Sequence, residues 1–292
     1  MNFSHGGRDI MRDKYSEIRS RLISCAENDS DIKCVTAIGS STRSEVKADE
    51  YSDLDLMIAA DNTERWLNGD YPAQLGNVSI SFVEPTLGGG TERRVIYDGD
   101  KDVDMIIFTP AQFERCIRDG AAEWVMNRGY EILFDRAGFA GLISENVQLK
   151  VSAPEMSEQE FTNLLNDFYF HNIWAAKKLL RGEIWSAKMC VDSYLKERLL
   201  KIVELYCSVF GSRDVWHDGR FIDRWADKEI LTALENCFAR YEREDIANAL
   251  VDTHKLFAEL AKKVAENKGY PYPKKAEKCA KKYISDIKDK LT

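Results

Sequence analysis

Three carboxylates carry the clearest chemistry in this 292-residue chain: Asp53 and Asp55, on either side of Leu54, and Asp104, inside the otherwise apolar run 103–108. Residues two apart on a strand share a face, so Asp53 and Asp55 project together, and a neighbouring strand can bring Asp104 to them. Three carboxylates on one face repel one another unless a cation sits among them, and hard oxygen ligands select magnesium. Such a centre grips a triphosphate, acidifies an attacking hydroxyl and stabilises in-line displacement at phosphorus, which is the chemistry of nucleotidyl transfer. Upstream, Gly39 and Ser40 close a β-branched run. Gly39 lets the backbone approach phosphate, and Ser40 offers its hydroxyl and N–H to the β- or γ-phosphate.

The elements that must position these residues follow from hydrophobic periodicity. A leading amphipathic helix is expected over 9–27, then strands over 32–38, 54–59, 78–83, 94–97 and 103–108, with a helix at 62–68. Thr86-Leu87-Gly88-Gly89-Gly90 reads as a plain loop, because no Lys-Ser/Thr follows it. Beyond residue 150 the strand signals stop. Helical stripes cover 160–181, 184–210, 228–241 and 246–267, and Tyr270-Pro271-Tyr272-Pro273 forces a break before a last helix over 276–288. The expected fold is an α+β N-terminal domain with a mixed sheet (1–150) and an all-α helical-bundle C-terminal domain (151–292).

Composition narrows the partners. With 44% hydrophobic and 31% charged residues the chain can bury a sizeable core. No apolar window is long enough to span a bilayer and the first residues are polar, so the expected location is the cytoplasm, without a membrane partner. A net charge of -8 argues against a phosphate-tracking nucleic-acid binder and suits a cationic partner. The seven cysteines form no C-x-x-C pair and read as reduced, mostly buried thiols. Oligomeric state is left open.

The order of these parts resembles the polymerase-β-like nucleotidyltransferases: a strand ending Gly39-Ser40, a short helical link, a strand beginning Asp53-Leu54-Asp55 and a later strand carrying Asp104. Within that superfamily the chain is similar, over nearly its whole length, to the aminoglycoside 6-adenylyltransferases that modify streptomycin. Lys101-Asp102-Val103-Asp104-Met105-Ile106 resembles their Lys-x-Met-Asp-Ile-Thr strand; Arg181-Gly182-Glu183-Ile184, Leu199-Leu200-Lys201 and Gly269-Tyr270-Pro271-Tyr272-Pro273 also have counterparts there.

The resemblance implies AMP transfer from ATP to a hydroxyl of an aminoglycoside, with release of pyrophosphate. It makes Asp53 and Asp55 magnesium ligands and Asp104 a third ligand or the general base. Gly39, Ser40, Arg43 and Lys188 are the candidate nucleotide-binding residues. Asp167, then Asp192, are the candidates for the acceptor's positive groups, in a helical acceptor-binding domain. Two departures stand out: Ser41 replaces an expected arginine, with Arg43 nearby, and Met189-Cys190 replaces an Asp-His pair.

Arg93 and Arg94 read as solvated, Trp174 and Trp185 as core, and the four histidines as without function. Lys188 and Lys196, eight apart, read as one helical face. A lincosamide nucleotidyltransferase is the alternative enzyme, sharing a turn like Leu180-Arg181-Gly182-Glu183. A protein-adenylylating toxin–antitoxin module is the alternative from another class; its Arg-to-His motif is matched only loosely by Arg213 and His217.

Overall fold

The computed structural model describes residues 14–43, 45–86, 90–151, 153–211, 213–287 and 290–291. The chain divides into two compact units, Met1–Val151 and Ser152–Thr292.

The first unit opens with α1 (Ser16–Asn28), whose Ile18, Leu22 and Ala26 recur at helical spacing and are buried. One six-stranded sheet follows, built from β1 (Ile32–Ile38), β2 (Leu54–Ala60), β3 (Val78–Pro85), β4 (Thr91–Tyr97), β5 (Lys101–Phe108) and β6 (Glu131–Asp135). Its order is β3-β4-β5-β2-β1-β6. The β2–β5 pair is parallel and the others are antiparallel, so the sheet is mixed as expected. Between its strands and after them lie α2 (Glu64–Leu67), α3 (Pro110–Arg118), α4 (Glu123–Met126) and α5 (Phe139–Asn146).

Alternation along the strands divides the sheet into two faces. Leu54, Leu56, Ile58, Val95, Val103 and Met105 pack in one core with Ile18 and Leu22 of α1. Met57, Ala59 and Phe108 pack in a second core with Phe113 and Ile117 of α3 and Ile143 of α5. By the same alternation Asp55 and Asp104 lie on this second face.

The second unit is helical: α6 (Glu158–Leu180), α7 (Ile184–Met189), α8 (Leu195–Gly211), α9 (Ile222–Trp225), α10 (Lys228–Glu235), α11 (Arg243–Lys268) and α12 (Lys274–Ser285). A capping box, in which Ser157 and Glu160 satisfy each other's backbone N–H groups, starts α6. Phe168 of α6 stacks on Phe257 of α11 at 3.5 Å between ring centres. Among the described residues no helix is long and apolar enough to cross a membrane.

The structure amends several expectations. The strand β6 and the helices α3 to α5 were not foreseen. The helix expected over 184–210 is interrupted by a π-helical turn, Cys190–Tyr194, and the one expected over 228–241 stops at Glu235. The start of the leading helix, most of the glycine loop at 87–89, His5 and residue 288 lie outside the described residues.

Candidate active site

Asp53 stands immediately before β2 and Asp55 is the second residue of that strand. Strand pairing places Asp55 opposite Ile38 of β1 on one side and opposite Asp104 of β5 on the other. One oxygen from each of Asp53, Asp55 and Asp104 lies within 4.8 Å of the others, so the three residues do converge. Tyr15 of the segment before α1 donates its hydroxyl to the Ser52 carbonyl (2.7 Å), fixing the backbone just ahead of Asp53.

After β1 the chain makes one 3-10 turn, Gly39–Ser41. Gly39 has φ of 73°, and a Cβ there would lie 2.1 Å from Asp55 Oδ2, so any side chain would displace the carboxylate. Thr42 anchors the far end of the turn by donating its hydroxyl to the Gly129 carbonyl (2.9 Å). Arg43, two residues on from Ser41, donates its Nε to the Val46 carbonyl (2.6 Å).

The site extends beyond the residues that the sequence singled out. Arg94 lies within β4, opposite Asp104, with its side chain partly exposed. Its guanidinium reaches Asp104 (3.3 Å), Glu92 (2.8 Å) and Glu84 (2.9 Å). Arg93 points to the other face and donates to Ser81 Oγ and the Trp66 carbonyl. No local signal marks this, because Arg93 and Ile96 break the alternation of charged and apolar residues along 91–97.

Asp104 is only 7% exposed. Burial pushes its carboxyl up to about 7; the Arg94 charge opposes that, while Asp102, Glu92 and Asp53 add to it. Its Oδ1 is buried without a hydrogen-bond partner, and so is the hydroxyl of Ser40. Buried polar atoms of this kind are costly unless a further group pairs with them. An all-oxygen set of three carboxylates beside such an orphaned oxygen fits a hard divalent cation.

In the helical unit, each candidate already has partners. Asp167 accepts from Arg198 Nε (2.9 Å) and Tyr194 Oη (2.9 Å) and lies 2.8 Å from His171. Burial works against its charge, but the Arg198 and Tyr194 hydrogen bonds outweigh that and hold the carboxyl below its usual range. A cavity of about 460 Å³ is lined by Asp167 together with Glu155, Glu160, Asn163, Arg198 and Lys201. Lys188 of α7 forms an ion pair with Asp192 inside the π-helical turn, and Asp192 also accepts from the Ala239 N–H (3.2 Å).

Lys188 and Lys196, which the sequence read as one face, lie on either side of the π-helical turn along the chain. Lys196 is buried against the Val191 carbonyl (2.8 Å) and Thr253 Oγ1 (2.9 Å), and that burial pushes its amine down to about 8. Trp185 is 68% exposed and so is not part of the core.

The family model for streptomycin adenylyltransferase matches residues 11–287. An aminoglycoside 6-adenylyltransferase from Bacillus subtilis (strain 168) is 21% identical over 270 residues, covering 88% of this chain and 92% of that protein. Among solved structures, an aminoglycoside 6-adenyltransferase from Bacillus subtilis aligns over 95% of this chain and 99% of its own, with 17% identity and a TM-score of 0.45. A nucleotidyltransferase-like protein from Exiguobacterium sibiricum 255-15 aligns over 93% and 90%, with 11% identity and a TM-score of 0.36. With a family match spanning almost its entire length, this chain belongs to the streptomycin adenylyltransferase family and is a nucleotidyltransferase.

Proposed function

We propose that the protein transfers the AMP moiety of ATP to a hydroxyl of an aminoglycoside such as streptomycin, with magnesium, and releases pyrophosphate. The observation that carries this reading is the convergence of Asp53, Asp55 and Asp104 beside the Gly39–Ser41 turn. The acceptor oxygen forms a bond to the α-phosphorus as the bond to the bridging oxygen of pyrophosphate breaks, and the hydroxyl proton leaves. Asp53 and Asp55, with Asp104, would hold the cation, which when bound supplies charge neutralisation of the phosphates and acidification of the hydroxyl. Ser40 and the Gly39 backbone receive the leaving phosphates, and Arg43 and Lys188 serve the nucleotide. Asp104 is the carboxylate that accepts the hydroxyl proton, or it orients the cation.

Asp167 and Asp192 offer negative charge to the acceptor from the helical unit. Asp167 is the better supported, because it opens on a cavity with Glu155 and Glu160. The test is incubation of the purified protein with α-phosphate-labelled ATP, magnesium and streptomycin. Label should appear in streptomycin with one pyrophosphate released per transfer. Absence of labelled streptomycin at any magnesium concentration would overturn the reading.

A further inference from the structure

We infer that the sheet face running outward from the carboxylates, across Arg94 to Phe82 and Ile80 on β3, is the subsite for the part of the acceptor next to its reacting hydroxyl. This rests on the adenylyl-transfer reading and locates the acceptor within it. Displacement at phosphorus is in line, so the entering hydroxyl and the leaving pyrophosphate stand on opposite sides of the α-phosphorus. The Gly39–Ser41 turn continues β1, on one side of Asp55. With the leaving phosphates held there, the hydroxyl enters from the other side, where β5, β4 and β3 follow in order.

Strand pairing lines up Asp55, Asp104, Arg94 and Phe82 in one row across these strands. Directly opposed residues share a face, so all four side chains rise from the same surface. At about 4.8 Å per strand, Phe82 stands about 10 Å from Asp104, so one ring of an acceptor laid over Arg94 would reach from one to the other. Ile80 pairs with Ile96 on that same face.

Phe82 is 50% and Ile80 58% exposed, on the edge strand of the sheet. An exposed apolar pair rimmed by polar groups marks a binding surface. The rim here is acidic. Glu84, Glu92 and Asp104 surround the single guanidinium of Arg94, so the face keeps a negative excess that draws in a polycationic acceptor. The Phe82 ring then packs on the C–H face of a sugar ring, while Ile80 extends the apolar floor.

The experiment compares the full-length protein with F82A, I80A/F82A and F82Y, using streptomycin as the probe. Steady-state KM for streptomycin and for ATP would be measured, together with streptomycin binding by calorimetry without ATP or magnesium. I80A/F82A should weaken streptomycin binding and raise its KM about tenfold, the size expected for losing one ring contact. Its KM for ATP should stay within about twofold, and F82Y should behave like the parent. Both residues are exposed, so unchanged melting temperatures are expected.

If the parent transfers AMP to streptomycin but I80A/F82A matches it in streptomycin KM and affinity, the subsite is overturned while the reaction stands. If the parent neither binds nor modifies streptomycin, the reaction fails and the subsite falls with it. A parental dimer that F82A dissolves, with streptomycin KM unchanged, would give the face to a second copy of the chain and also overturn the subsite.

Discussion

Gly39 and Asp55 are bound by a steric rule at the scale of single atoms. The missing Cβ at Gly39 is the space that the Asp55 carboxylate occupies, 2.1 Å away. Gly39→Ala should therefore push the carboxylate out of the cluster and add the strain of an alanine at φ of 73°. Asp55→Asn keeps the shape but removes the charge. Both variants should fold and lose several orders of magnitude in transfer rate, with Gly39→Ala also melting a few degrees lower. Rate measurements beside circular dichroism would check this; a Gly39→Ala enzyme within about tenfold of the parent would mean the close approach has no part in the chemistry.

At the scale of elements, the turn Cys190–Tyr194 joins α7 to α8 through a π-helical widening, and Asp192 inside it pairs with Lys188 of α7. Both side chains are largely shielded from solvent, and the Ala239 N–H ties Asp192 to the segment before α11. Asp192→Asn should leave Lys188 without its countercharge and cost about 1–3 kcal/mol. Lys188→Met added to Asp192→Asn should recover part of that loss. Urea unfolding of both variants checks it, and a single variant as stable as the parent would show the pair to be incidental.

The same turn shows what a single sequence discloses. Asp53, Asp55, Gly39 and Ser40 were legible because residue type and local spacing define them. The strand 32–38 was legible because its run is rich in β-branched residues, and 54–59 because it is short and mostly apolar. The role of Arg94 was not, since its partners Glu84 and Asp104 meet it only through the pairing of β3, β4 and β5, and cross-strand register leaves no local trace. Nor was β6, five residues of mixed polarity paired to a distant β1. The π-helical turn changes one hydrogen-bond step without changing the apolar stripe around it.

At the scale of the whole molecule, two titratable groups in the helical unit, one buried and one half-buried, set opposite limits on stability as pH changes. His254 is 3% exposed and its Nδ1 lies 3.2 Å from Asn172 Oδ1, while its Nε2 is buried without a partner. Burial lowers it to about 4. A depressed folded value means that the unfolded chain binds the proton first, so stability is full above about 6.5 and drains away as pH falls toward 4. Glu204 of α8 is the mirror case: burial raises it to about 7, against a hydrogen bond from the Gly219 backbone. The folded state then holds the proton that the unfolded chain releases, so its contribution is full below about 4.5 and is lost as pH rises through 7. Stability should therefore peak between the two limits. Glu204→Gln keeps the neutral shape and removes the alkaline loss, so it should be more stable than the parent by about 2–3 kcal/mol at pH 8 and equal to it below about pH 4.5. Urea unfolding of parent and variant across pH 4 to 8 reads this directly: a difference that stays constant with pH would show that Glu204 does not hold a proton in the folded protein at neutrality.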